Sequence, residues 1–149
     1  PEGAEVFRFA ELTIYLPLDW PLGKQALDDP QYFWPFEWLR RIALYPHQSG
    51  TWIGGPVAVF SNGEPPAALG PNTQMTCFLA ILEPGDMRRL EHPDGRSILF
   101  YKLFPLYTEE RDLHEREGTE RLLTLFAEHQ LEDRVEIARP NVAKGTLGL

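Results

Sequence analysis

The sequence predicts an α+β fold, in which a mixed, mainly antiparallel sheet is packed by helices. Three observations predict it. Alternating or continuous apolar runs recur from residue 11 to residue 106, as strands with one or both faces buried require. Apolar residues at helical spacing fall in two separate places, residues 31–45 and 109–128. The resulting order, β-α-β-β-β-β-α-α-β, groups strands together instead of alternating them with helices, which is the α+β arrangement.

The first strand spans residues 11–16, where Leu12, Ile14 and Leu16 alternate with Glu11, Thr13 and Tyr15. Pro17 and Asp19-Trp20-Pro21 end it, and a polar loop follows over residues 23–30. A helix is predicted over residues 31–45, headed by Trp34-Pro35, because proline suits a first turn whose N–H is unpaired anyway. Phe36, Leu39, Ile42 and Ala43 form its apolar face, and Tyr45-Pro46 is predicted to stop it. Residues 51–60 read as a strand bent at Gly54-Gly55-Pro56. Residues 75–82 are almost continuously apolar, as in a central strand covered on both faces.

His92-Pro93-Asp94-Gly95 is a turn, so residues 88–91 and 97–103 are predicted to form a hairpin. Thr108-Glu109-Glu110 opens a helix with a capping hydroxyl and two acids at its positive end. Gly118 breaks that helix, and Thr119 is predicted to cap an amphipathic one carrying Leu122, Leu123, Leu125 and Phe126. Residues 135–138 read as a short last strand and residues 144–149 as a frayed end.

At 149 residues the chain fits a single domain over residues 1–149, large enough to bury roughly 70% of its unfolded surface. A net charge of −8, with no basic stripe beyond Arg40-Arg41 and Arg88-Arg89, argues against nucleic acid. No apolar run is long enough to span a membrane, and Pro1-Glu2-Gly3 does not resemble a signal peptide. One cysteine forms no internal disulfide, so a reducing, cytoplasmic location is expected.

A search for chemistry finds little. His47, His92, His114 and His129 are scattered, and the sequence Leu113-His114-Glu115-Arg116-Glu117-Gly118 fails as a zinc helix because Gly118 stands where a second ligand belongs. Cys77 sits in apolar sequence and reads as a structural thiol. Asp28-Asp29 and Glu109-Glu110 are adjacent in sequence and point apart. No phosphate loop or nucleophile elbow occurs, so no catalytic, cofactor or metal residue is assigned. The densest feature is aromatic: Tyr32, Phe33, Trp34, Phe36 and Trp38, flanked by Trp20, Tyr45 and Trp52. Most are expected in the core, with one or two exposed as partner contacts.

Several of these segments resemble, in order and spacing, the suppressor of fused family. Glu11-Leu12-Thr13 opening an apolar alternation, Trp34-Pro35 with Trp38-Leu39, and Ile42-Ala43-Leu44-Tyr45 are similar to that family's first strand and Trp-Pro helix. Thr51-Trp52, Gly54-Gly55, Leu82-Glu83-Pro84, the strand near residues 100–105, Thr108-Glu109-Glu110, Leu122-Leu123 and Arg139 match further along. The resemblance spans roughly residues 11 to 140 and is to the compact bacterial form, which lacks the second domain and long insertions of the animal proteins. The additional strands with which the family's domain begins are absent before Pro1, so a partial domain is expected. It implies a non-enzymatic protein-binding module, with a protein or peptide partner; for a bacterial member the partner is a toxin and the role that of an immunity protein. In animal members a short peptide is added as a β-strand. Tyr45 is the counterpart of a tyrosine in that peptide site, and it is the one binding residue the resemblance implies. Pro56 stands where an acid or histidine serves the animal site, so the animal peptide is not the expected ligand. Two alternatives stand beside this reading: a regulatory or structural subunit docking through an aromatic patch, and a hydrolase using Cys77 or His114.

Overall fold

The computed structural model describes residues 9–50, 53 and 55–144. The predicted strand start and bend at Thr51, Trp52 and Gly54, and the predicted frayed end beyond residue 144, lie outside them. The order is β1 (Phe9–Thr13), α1 (Lys24–Leu27), α2 (Pro30–Ser49), β2 (Val57–Ser61), β3 (Cys77–Leu82), a 3-10 turn (Gly85–Arg88), β4 (Arg89–Glu91), β5 (Ser97–Leu106), α3 (Thr108–Glu117) and α4 (Thr119–Glu128).

The strands lie in the order β1-β5-β3-β2, with β4 also paired to β5. β5 is the long axis of the sheet. β1 runs parallel along one edge, with Leu12 beside Tyr101. Along the other edge lie β3, with Leu79 opposite Phe104, and then β4, with Leu90 opposite Ile98. The sheet is therefore mixed and mainly antiparallel, as predicted, and the hairpin of β4 and β5 forms around the His92–Gly95 turn.

Alternation along β3 and β5 sorts their side chains onto two covered faces. Phe78, Ala80, Leu99, Tyr101 and Leu103 pack under Trp34, Trp38 and Ile42 of α2. Cys77, Leu79, Phe104 and Leu106 pack under Leu113, Leu122, Leu125 and Phe126 of α3 and α4. This two-sided burial is why both strands read as unbroken apolar runs.

Four local expectations are corrected. α2 begins earlier and ends later than predicted. Asp29 caps it, with Oδ1 accepting from the Gln31 N–H at 2.9 Å, and Pro30 takes the first position. Pro46 does not stop it: the helix continues to Ser49 and closes on Gly50 at φ 63°. A proline only discourages helix in its predecessor, whereas the left-handed Gly50 supplies a real terminus. Thr108 does not cap α3. Tyr107 is the cap residue, its N–H donating to Glu110 Oε1 at 2.9 Å, while the Thr108 hydroxyl pairs with Thr76 at 2.7 Å. Thr119 is the first residue of α4, not its cap, and its hydroxyl meets His114 Nε2 at 2.8 Å. Residues 135–138 form no strand. A single bridge between Tyr15 and Arg134, with the Val135 N–H donating to the Tyr15 carbonyl at 2.8 Å, takes its place.

Candidate functional site

β2 ends the sheet, and no described strand pairs with its outer side. The register settles which backbone groups face outward. Leu82 N–H donates to the Pro56 carbonyl and Asn62 N–H to the Thr76 carbonyl, at 3.1 and 2.9 Å. In an antiparallel ladder hydrogen-bonded residues alternate, so Ala58 and Phe60 turn their amides toward β3. Val57, Val59 and Ser61 turn theirs away, toward the uncovered side.

Beside this edge runs a groove of about 440 Å³, with Phe60 and Ala58 on one wall and α2 on the other. Trp38, Ile42 and Tyr45 reach it from one face of the helix, four and three residues apart. Tyr45 is 43% exposed, its ring edge-on to Phe60 with centroids 5.5 Å apart. Arg41 also lines the groove, its guanidinium 4.9 Å over the Trp38 ring and its Nε donating to Glu37 at 3.1 Å. Tyr45 thus stands at the sheet edge from within α2, which continues past it to Ser49. Pro56 contributes only its carbonyl, to the β3 ladder.

A strap over residues 69–75 holds α2 in place, and nothing in local sequence pattern marks it. Pro35 has no N–H, so the Gln31 carbonyl has no helical donor. The Asn72 amide donates to that carbonyl at 2.9 Å, and its Oδ1 accepts from the Trp34 indole at 2.9 Å. The Trp38 indole donates to the Leu69 carbonyl at 2.9 Å. Between them Gly70 lies flat on Trp34, so close that a Cβ would fall 2.4 Å from the ring. Contrary to expectation, the aromatic segment is not mostly core: Trp34 and Trp38 are buried, but Tyr32 and Phe36 are half-buried and Phe33 is exposed. Burial of the two tryptophans takes the largest of these rings out of any docking patch over residues 32–38.

The hydrolase candidates do not assemble. Cys77 is fully buried, and its thiol lies 3.4 Å from the hydroxyls of Ser61 and Thr76, so its surroundings are not wholly apolar as expected. Neither contact is a base that would activate it. His114 meets Thr119, and its Nδ1 is buried without a partner among the described residues. His92 pairs with Asp94 at 2.9 Å in the exposed turn, and His129 Nδ1 meets the Leu125 carbonyl within its own helix. Among the described residues no cluster of three or more metal-ligating side chains forms, and no helix is long and apolar enough to cross a membrane.

Two buried polar clusters are structural. Glu110, fully buried, receives both terminal nitrogens of Arg139, at 2.5 and 2.7 Å, together with the Val142 N–H at 3.1 Å. Glu83 accepts from Thr13 and Tyr15 across β5, at 3.0 and 2.7 Å. That hydrogen bond, then burial, holds the Tyr15 phenol above its usual range.

Comparisons with known proteins place this architecture. The model of the family described as Suppressor of fused protein (SUFU) matches residues 1–141. A structure described as the Sufu-Fu complex superposes with a TM-score of 0.60 at 15% identity, over 92% of this chain and 59% of that one. The crystal structure of Drosophila Suppressor of Fused gives 0.60 at 16% identity, over 92% of this chain and 32% of that one. This chain thus spans about three fifths and one third of those two. No curated protein matches.

Proposed function

The chain belongs to the suppressor of fused family, known for protein–protein interaction, and on that premise we propose that it is a non-enzymatic binding module. It takes an extended segment of its partner as an added strand on the outer edge of β2, with Tyr45 contacting the added chain. The observation that carries this reading is the edge of Val57, Val59 and Ser61, uncovered among the described residues, beside an open, largely apolar groove. An unpaired edge is a template for another strand, and adjacent pockets select its side chains. The finer role is that of an immunity protein occupying a toxin; it rests on the resemblance to compact bacterial members.

Two proline substitutions test strand addition, with the product of the adjacent gene as ligand. Val59→Pro removes an outward N–H, which an edge strand tolerates, and is expected to abolish binding while the melting temperature stays close to that of the parent. Ala58→Pro removes a ladder N–H and is expected to destabilise the fold. Full binding by Val59→Pro would refute edge addition. The toxin role fails separately if that gene product neither binds the parent protein nor is neutralised by it.

A further inference from the structure

The groove beside β2 has a charge sign opposite to that of the molecule around it. The chain carries −8, yet the one charged side chain lining the groove among the described residues is the cation Arg41. The three undescribed positions nearest in sequence are Thr51, Trp52 and Gly54, none of them ionisable. Arg41 is 54% exposed on its side chain. Its Nε is engaged by Glu37 and its plane lies over Trp38, but no hydrogen bond to another described residue uses its two terminal nitrogens. Those nitrogens form the fork that matches a carboxylate.

Resting on the strand-addition reading, we infer that the accepted segment is acidic, with a carboxylate two residues from an apolar anchor. The spacing follows from the two elements. Arg41 and Tyr45 stand one turn apart on α2, ~6 Å between Cβ atoms. Same-face residues i and i+2 of an extended strand are separated by ~6.6 Å. A strand on β2 that sets an apolar side chain against Tyr45 and Phe60 therefore brings its next same-face residue to Arg41. A carboxylate there gains a charge-assisted contact, whereas a lysine there meets the like charge of Arg41, and the acid beside it, Glu37, is already engaged by the Arg41 Nε. A partner segment rich in Lys or Arg at that position is thereby disfavoured, despite the acidic protein as a whole.

The test uses three pools of blocked, labelled eight-residue peptides. Each fixes a leucine and places Glu, Gln or Lys two residues away, in both orders, with Val, Thr and Ser randomised elsewhere. Binding is read by fluorescence polarisation, and its location by NMR shifts of the Val57 and Val59 amides. The Glu pool is expected to bind about fivefold tighter than the Lys pool at low salt, with the preference shrinking as salt screens it. Arg41→Gln should erase the preference and Arg41→Glu should reverse it, which loss of folding cannot mimic; melting curves confirm that both variants fold. Equal binding of all three pools, or a Glu preference that survives Arg41→Gln, overturns the charge inference and leaves strand addition standing. If no pool shifts the β2 amides, strand addition and this inference fall together.

Discussion

Replacing Arg139 with methionine should be among the most damaging single substitutions in this chain. Arg139 is 6% exposed and holds Glu110, itself fully buried, through two parallel hydrogen bonds. It also donates to the carbonyls of Pro105 and Pro140, at 2.7 and 2.9 Å, and its guanidinium lies 5.1–5.4 Å from the ring centroids of Phe104, Tyr107 and Phe126. Arg139→Met keeps much of the volume but leaves a carboxylate in the interior with only the Tyr107 and Val142 amides to serve it. Stranding one partner of a buried pair costs about 3–5 kcal/mol, a large share of the ~5–15 kcal/mol that holds a domain folded. For a chain of this size the melting temperature should fall by roughly 10 °C. Urea unfolding of the parent, Arg139→Met, Glu110→Gln and the double variant supplies the measurement. The double variant should be at least ~1 kcal/mol more stable than the sum of the single losses predicts, because it no longer buries an unpaired charge. A loss below ~1 kcal/mol for Arg139→Met, or strict additivity in the cycle, would refute the reasoning.

Two further outcomes are expected. Gly70→Ala drives a methyl into the Trp34 ring from 2.4 Å and, with that indole anchored on Asn72, should cost about 1–3 kcal/mol and weaken binding at Tyr45; unchanged urea unfolding would show that the strap gives way freely. Burial pushes the Tyr101 phenol up to about 12. The unfolded chain therefore loses this proton first as pH rises above 10, and stability declines through the window from 10 to 12 by about 1.4 kcal/mol per pH unit from this group. The phenols of Tyr15 and Tyr107 are displaced in the same direction. Ultraviolet titration of tyrosinate with alkaline melts checks this, and an alkaline slope unchanged in Tyr101→Phe would count against it.

How much was legible in the sequence follows from the range of each interaction. Alternation and helical spacing are local, so the strands of the sheet, α2, α3 and α4 were readable, and two-sided burial made β3 and β5 conspicuous. The misreadings lie at element ends and in short elements: α1 forms inside the predicted loop over residues 23–30, and residues 135–138 form no strand. There a neighbour in space outweighs the next residue in sequence: Gly50 closes α2 after Pro46, Thr76 takes the Thr108 hydroxyl, and Tyr15 gives residues 134–135 a single bridge in place of a strand. Asn72 and Gly70 went unnoticed because their partners, Gln31 and Trp34, lie about forty residues away.

The sequence alone determined the fold class and the family resemblance, because both rest on periodic burial and on motifs kept in order along the chain. It singled out Tyr45 as well, but through likeness and without surroundings. Only the tertiary structure decided that β2 is an edge, that its odd-numbered residues turn their amides outward, and that Arg41 and Tyr45 share one groove with Phe60. Edge or centre, inward or outward, is a property of pairing between distant segments. The two strands β2 and β3 each read as apolar in sequence, and only their place in the sheet leaves one of them open to a partner.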